Sequence, residues 1–268
     1  MKRVLKSLFG RFGYEIKRKS VRRASLTEAP YPGRFPSAYQ NAMLALLSLK
    51  EHIKIVQVGA NDGAINDPIY DFVHRFRDRT RVLLIEPQKN LAGRLQENYM
   101  FHRNHTIFTG AIGPKGTLTI YSVKEPFWEH LSVPYAKDWP EFRAPTGRAS
   151  TDREHVKEWL ERYLDDTSKV DEAISVSSVP SIQLAALLND VGWAEGIDVL
   201  QVDAEGADDQ VIYNCNLERT RPKIIHFENS HLGEKRYQDL ALFLEGLGYE
   251  ISLQGRDALA IAVAAKEA

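Results

Sequence analysis

The apolar run Val56-Gln57-Val58 ends in Gly59-Ala60-Asn61-Asp62-Gly63, and a second apolar run closes on Leu84-Ile85-Glu86-Pro87. This pair of strand ends constrains the fold more than any other feature of the chain. Glycine lacks the Cβ that keeps backbone away from a ligand, so a strand ending in a glycine turn can bring main chain close to one. A second strand ending in an acid sets a carboxylate where two ribose hydroxyls can be gripped. Together they predict a nucleoside crevice at the carboxyl edge of a parallel sheet. The turn fits neither the Gly-x-Gly-x-x-Gly of dinucleotide enzymes nor a phosphate loop with its Lys-Ser/Thr. NAD and ATP are therefore disfavoured, and S-adenosylmethionine becomes the leading candidate ligand.

The patterning around these motifs alternates helix and strand. A helix is expected over 39–49, then a strand over Ile53–Val58, then a helix opening at Pro68 with Asp67 as its cap. A strand over 81–85, a helix over 91–98 and strands over 106–111 and 116–123 follow. Pro180-Ser181 is expected to open a helix running to Asn189, ahead of a strand at 198–202 and a helix over 208–213. A strand at 223–227, a helix at 237–247 and two closing strands around the turn Gln254-Gly255-Arg256-Asp257 complete the pattern. This is an α/β chain with a Rossmann-like, doubly wound sheet, mostly parallel with an antiparallel edge strand. Between the halves, 124–171 shows no strand pattern but carries Phe127, Trp128, Tyr135, Trp139, Phe142, Trp159 and Tyr163 among four prolines. Such an aromatic excursion is expected to act as a lid over an acceptor, with one or two rings facing the crevice and the rest anchoring it.

Charge is unevenly spread. Residues 1–24 hold nine basic side chains against Glu15 alone, a net +8; as the whole chain is −1, residues 25–268 carry −9. Val4, Leu5, Leu8, Phe9 and Phe12 recur at helical spacing, so this segment reads as a basic amphipathic helix for an anionic membrane face. A basic tail and a helix docked on a partner subunit are the alternatives. Pro30, Pro32, Gly33 and Pro36 then mark a linker, dividing the chain into 1–36 and a Rossmann-like domain over 37–268. The acidic body argues against a nucleic-acid substrate. Cys215 is the sole cysteine, which excludes an internal disulfide and a thiolate metal cluster and fits a cytoplasmic protein, peripheral to the inner membrane face if the basic helix binds there. Assembly into a homo-oligomer is compatible with everything above.

Four blocks resemble the FkbM-type S-adenosylmethionine-dependent methyltransferases. Val58-Gly59-Ala60-Asn61-Asp62-Gly63 with Asn66-Asp67-Pro68 is similar to the opening motif, and Ile85-Glu86-Pro87 with Leu95 and Asn98-Tyr99 to the second. Leu200-Gln201-Val202-Asp203-Ala204-Glu205-Gly206-Ala207-Asp208 resembles the Asp-x-Glu-Gly-x-Asp signature, and 221–232 the block after it. The resemblance covers about 53–261 and implies a class I methyltransferase fold. Two departures lie near the acceptor side: Ala207 stands where relatives often carry an aromatic residue, and 149–156 lacks the phenylalanine of the family's Ser-Phe block.

The expected site follows. Gly59, Ala60, Asn61 and Gly63 are expected to line the methionine portion of the donor, Glu86 with Pro87 to hold the ribose, and Ala111 and Ile112 to pack near adenine. Asp203 contacts the donor's amine, the acceptor or a metal. Asp203, Glu205, Glu228 and His231 are the catalytic candidates, since an acceptor hydroxyl must lose a proton near the transition state. Glu205 has the alternative role of stabilising the following helix's amino end, and His226 is expected in the core. Asp203 with Glu228-Asn229 also suits Mg²⁺, by analogy with catechol-type O-methyltransferases. The acceptor is expected to be a sugar hydroxyl, by the family's association with glycan and polysaccharide precursors. A polyketide or other secondary metabolite, or a non-catalytic binding protein on the same fold, are the alternatives.

Overall fold

Strands buried on both faces read as near-continuous apolar runs, and the central strands of this protein do so because helices cover each side. The computed structural model describes residues 37–263, so the expected basic helix and proline-rich linker lie outside the described residues. The first half contains α1 (Ala38–Leu49), β1 (Ile53–Val58), α2 (Tyr70–Arg75), β2 (Thr80–Glu86), α3 (Ala92–Asn98), β3 (His105–Thr109), β4 (Ala111–Ile112) and β5 (Gly116–Val123). The excursion holds α4 (Arg143–Thr146), α5 (Arg153–Tyr163) and α6 (Val170–Ala173), with short 3-10 turns between them. The second half contains β6 (Ile174–Ile182), α7 (Leu184–Asp190), β7 (Val199–Val202), α8 (Asp208–Tyr213), α9 (Leu217–Thr220), β8 (Ile224–Glu228), α10 (Gly233–Gly246), β9 (Tyr249–Gln254) and β10 (Asp257–Ala262).

Seven strands form one sheet in the order β3-β2-β1-β7-β8-β10-β9. All pairings are parallel except those of β10, which runs antiparallel to both β8 and β9. On one face Val56, Leu83, Leu200 and Phe227 pack under α7, α8 and α10; on the other Ile55, Leu84, Val199 and Ile224 pack under α1, α2 and α3. α1 shows how local sequence sets an element. Ser37 Oγ accepts from the Gln40 amide at 3.1 Å while Gln40 Oε1 accepts from the Ser37 amide at 3.3 Å, a capping box that fixes the first turn. Tyr39, Met43 and Leu47 then fall on one stripe and are buried against the sheet. A side chain the size of Met43, fully enclosed, contributes about 1.5–3 kcal/mol.

A second, three-stranded sheet runs β4-β6-β5. It corrects two expectations. Residues 106–111 are not one strand: the chain leaves the large sheet after Thr109 and joins the small one at Ala111. Gly110 sits at the step, where a Cβ would lie 2.8 Å from the Pro180 carbonyl oxygen. Nor does Pro180-Ser181 open a helix. Both lie in β6, Thr117 facing Pro180 and Gly116 facing Ser181 in the antiparallel register, and the helix starts at Leu184. The expected cap Asp67 accepts from the amides of Ile69 and Tyr70 at 2.9 and 2.7 Å, but the helix starts at Tyr70, two residues later than Pro68 suggested, with Ile69 and not Asp67 at its N-cap. α10 begins at Gly233, four residues ahead of the expected 237.

Neighbouring β1 and β7 carry their following helices to opposite faces, which opens a crevice at their carboxyl ends. Gly59 sits at that point with φ +80°, and a Cβ there would fall 1.8 Å from the Asp203 carbonyl oxygen. Both the backbone conformation and the space exclude a side chain. Gly59→Ala is therefore expected to lower folding stability by more than about 2 kcal/mol, a left-handed backbone penalty plus a backbone clash. Denaturant unfolding measures it, and a loss below half that figure would show that the two strand ends can part freely.

Candidate active site

The crevice is a cavity of about 350 Å³. Its floor is the ends of β1, β2 and β7 with Gly59, Asn61, Glu86, Pro87, Asp203 and Glu205. One wall is the small sheet, with Ala111, Ile112, Leu118 and Ile120; the roof is Arg143, Thr146, Gly147 and Ala149 to Thr151 from the excursion. Ala60 and Gly63 belong to the same turn but lie away from the lining. A Cβ on Gly63 would meet Leu95 and Tyr99, so this glycine lets the turn pack on α3. None of the aromatic rings of 124–171 lines the cavity, which corrects the expectation that one or two face it. They pack on one another instead, as Trp159 on Tyr163 and Tyr135 on Trp139 do.

At one end of the crevice, Glu86 is buried and gathers three hydrogen bonds. Its Oε2 accepts from the Asn61 amide at 2.7 Å, and its Oε1 from the amide and side chain of Gln88 at 2.9 and 3.0 Å. Burial pushes its pKa up and these donors pull against it. A carboxylate offers about four lone-pair sites, so gripping two ribose hydroxyls requires the Gln88 side chain to give way. Gln88 Nε2 also donates to the Thr146 carbonyl at 2.9 Å, and Thr146 Oγ1 lies 3.3 Å from the Asn61 amide group. Arg143 donates from Nε to the Ile65 carbonyl at 3.0 Å and sits 3.4 Å from Asp62. The excursion is thus pinned to the glycine turn.

At the other end the carboxyl oxygens of Asp203, Glu205 and Glu228 come within 4.8 Å of one another. Asp203 Oδ1 is buried without a hydrogen-bond partner. Burial first, then repulsion from Glu205, Asp208 and Glu228, hold its pKa well above the usual carboxylate range. Glu205, at φ +45°, behaves oppositely. Burial opposes its ionisation, but the contact from His155 and the charges of Arg148, His155 and His231 outweigh it and lower its pKa. Arg148 Nη1 donates to Glu205 Oε2 at 2.7 Å, His155 Nε2 lies 3.3 Å and His231 Nε2 3.9 Å from that oxygen, and Ser150 Oγ donates to the Glu205 carbonyl at 2.8 Å. Glu205 therefore points into the charge cluster, not along α8 as a helix-end stabiliser.

Glu228 and His231 stand just outside the lining. Glu228 Oε1 accepts from Arg256 at 2.6 Å and from Ser230 Oγ at 2.8 Å, and its Oε2 is 3.7 Å from His231 Nε2. Burial lowers the His231 pKa against the pull of Glu228 and Glu205. His226 is in the core, stacked on Tyr39 at 4.2 Å with Nδ1 2.9 Å from Gln201 Oε1, and burial lowers its pKa to about 4. The structure adds Gln88, Arg143, Thr146, Arg148, His155 and Arg256 to the residues expected from the sequence. His155 alone carried a signal, through its place in the loosely matching block 149–156.

Counted within the large sheet, the strand order is 3-2-1-4-5-7-6, with an acid-ended second strand, a glycine-turned first strand and no phosphate loop. That is the class I α/β methyltransferase fold, with its crevice at the topological switch point. The Methyltransferase FkbM domain matches residues 57–251, and the chain belongs to that family, whose methyl donor is S-adenosylmethionine. No curated protein matches it in sequence. Solved structures it resembles include Geobacter metallireducens precorrin-6y C5,15-methyltransferase, at 12% identity and TM-score 0.40 over 83% of this chain and 85% of that one. Aeropyrum pernix fibrillarin with natively bound S-adenosyl-L-methionine has 13% identity and TM-score 0.41 over 84% and 76%. A Streptococcus thermophilus rRNA methylase has 9% identity and TM-score 0.39 over 87% and 100%. No helix among the described residues is long and apolar enough to cross a membrane.

The crowding of acids has a consequence for stability. Asp208 Oδ2 is buried without a partner, and burial with Glu228 repulsion lifts its pKa to about 8. The unfolded carboxyl loses its proton near pH 3.9, the folded one near about 8. Stability is thus complete below the first value and falls as pH rises to the second, because the folded chain retains a proton the unfolded chain has shed. Asp67 and Asp257, each raised to about 6 chiefly by burial, add to the decline at lower pH. Denaturant titrations from pH 4 to 9 should show it. Asp208→Asn should lessen the fall above pH 6, and an unchanged slope there would reject the assignment.

Proposed function

We propose that the protein is an O-methyltransferase acting on a hydroxyl of a sugar, glycan or polysaccharide precursor. The observation that carries this reading is one cavity joining Gly59, Asn61 and Glu86 to the buried, unpartnered Asp203 carboxyl. S-adenosylmethionine fits the residues present: Gly59 leaves a cradle that a Cβ would fill, Glu86 faces the ribose, and Asp203 lacks a cationic partner. When bound it supplies an electrophilic methyl group on a sulfonium. The protein's part is to align a hydroxyl oxygen with that carbon, to exclude water beneath the Arg143–Thr146 roof and to take the hydroxyl proton. As the methyl group left sulfur for the hydroxyl oxygen, the hydroxyl proton would pass to the cluster of Asp203, Glu205, Glu228 and His231. Asp203, with its raised pKa, and His231, an imidazole held below its ordinary range, are the acceptors; Glu228 orients His231.

A polyketide or other secondary-metabolite hydroxyl is the second reading. It is favoured by the apolar wall of Leu118, Ile120, Ala207 and Val211, where Ala207 leaves room that an aromatic residue would fill. The −9 charge of 25–268 speaks against a nucleic-acid acceptor. A cytoplasmic site of action, contact of 1–24 with an anionic membrane face and self-association complete the proposal.

Calorimetry should show one S-adenosylmethionine per chain, with Glu86→Ala weakening it by about 1.5–3 kcal/mol through lost charged hydrogen bonds. Unchanged affinity in a folded variant would remove Glu86 from the ribose. Mass spectrometry after incubation with donor and a panel of nucleotide sugars, oligosaccharides and hydroxylated polyketides should identify the acceptor by its added methyl group. With that acceptor, His231→Ala or Glu228→Gln should slow turnover by about 10²–10⁴-fold while donor affinity holds. Full activity in both would sink the proposed acceptor side.

A further inference from the structure

The excursion meets the sheet through a mixed nitrogen and oxygen cluster that shares Glu205 and His231 with the proposed acceptor side and adds His155 to them. His155 lies on α5, inside the excursion; Glu205 follows β7 and His231 follows β8. One donor atom from each falls within 4.8 Å of the other two. Glu205 Oε2 is 3.3 Å from His155 Nε2 and 3.9 Å from His231 Nε2, and the two rings stand edge to face with centroids 4.9 Å apart. Ligands at about 2.0–2.2 Å from one metal lie roughly 3–3.5 Å from each other, so the set needs only a slight contraction to close on an ion.

Two further observations point to a ligand. His155 Nε2 is shut off from solvent, and its neighbour Glu205 Oε2, 3.3 Å away, does not meet it in good hydrogen-bond geometry, a state that buried polar atoms rarely keep. Asp203 Oδ1, in a second group that shares Glu205 with the first, is likewise buried and unpartnered. With Asp203, Glu205 and Glu228 so close, the local field favours added positive charge. We propose that His155, Glu205 and His231 bind one borderline divalent metal ion such as Zn²⁺ or Co²⁺, tying the excursion to the sheet edge. Imidazole nitrogen selects such ions, whereas Mg²⁺ and Ca²⁺ take all-oxygen sets. The donor set therefore disfavours Mg²⁺, the ion suggested by Asp203 with Glu228-Asn229 alone.

The cluster also holds the ion's competitor. Arg148 Nη1 sits 2.7 Å from Glu205 Oε2 and 3.5 Å from His231 Nε2, between two of the ligands, and Arg256 Nη2 approaches His231 Nε2 to 3.4 Å. The Arg148 guanidinium supplies the neutralising charge when no metal does, and has to turn aside when one binds. Removing it should strengthen metal binding, an outcome no merely structural role for these residues would give.

The test uses the full-length protein, stripped with chelator and titrated separately with Co²⁺, followed by its visible absorption, and with Zn²⁺ and Mg²⁺ by calorimetry. One Co²⁺ or Zn²⁺ per chain is expected, with a rise in the thermal unfolding midpoint and no binding of Mg²⁺ at equal concentration. His155→Ala and His231→Ala should each weaken binding by at least about 10–100-fold, going by the loss seen for even indirect ligand supports; Arg148→Met should tighten it. Circular dichroism and S-adenosylhomocysteine binding establish that each variant is folded. A parent protein that binds S-adenosylhomocysteine but no stoichiometric Co²⁺ or Zn²⁺ overturns the metal site and leaves the methyltransferase reading standing. Binding that survives both histidine variants overturns it equally, whereas loss of S-adenosylhomocysteine binding by the parent would count against the donor site alone.

Discussion

Four carboxyl groups, those of Asp203, Glu205, Asp208 and Glu228, crowd the carboxyl ends of β7 and β8, and the rest of the site is arranged around the cost of that crowding. Burial deprives each of water, and each raises the energy of its neighbours' ionised forms. The protein answers in two ways. Glu205 and Glu228 are given guanidinium partners, Arg148 and Arg256, and the pKa of Glu205 falls. Asp203 and Asp208 are each left with an unpartnered oxygen, and their pKa values rise. Similar residues are thereby given different proton affinities by which cation reaches which oxygen.

The cations that do the sorting come mostly from the excursion. Arg148 and His155 reach Glu205, Ser150 holds its backbone, and the Thr146 carbonyl takes a hydrogen bond from Gln88 beside Glu86. Its aromatic rings build a small hydrophobic unit around Val156, Trp159 and Leu160, which keeps the polar residues of α4 and the following loop facing inward. The roof works through polar contacts to the strand ends, and the aromatic content that marked it in the sequence serves to make it stiff.

That division explains what could be read from the sequence. Ile53–Val58 and the run closing on Glu86 announce themselves because central parallel strands are apolar on both faces, and Gly59 because a backbone approach of this closeness tolerates no side chain. β6 was hidden. Its sequence, Ile-Ser-Val-Ser-Ser-Val-Pro-Ser-Ile, puts Ser177 and Ser178 toward solvent and Pro180 where a helix start is equally well served, so local pattern and tertiary pairing disagree and pairing wins. Arg143, Arg148 and His155 were hidden for another reason. They reach Asp62 and Glu205 across dozens of residues, and no periodicity encodes a contact that depends on how a long excursion folds back. The acids of 203–208 and 228 were legible as a motif, but which of them meets a cation and which is left unpartnered depends on how the excursion folds back.

The arrangement also bears on charge balance through the proposed reaction. Before transfer the cluster faces a positive sulfonium, and after it a neutral thioether and one released proton. A set of carboxyls that were all firmly ionised would hold the positive donor well but keep no affinity for the proton. A set that were all neutral would do the reverse. Glu205, kept ionised beside Arg148, and Asp203, kept receptive to a proton by burial and repulsion, give the site one member of each kind within 4.8 Å. The proton can then replace the lost sulfonium charge, so that the buried acids are never left without a positive partner. On this account the unpartnered Asp203 oxygen is a consequence of what the site must do twice in each turnover, first beside a cation and then with a proton.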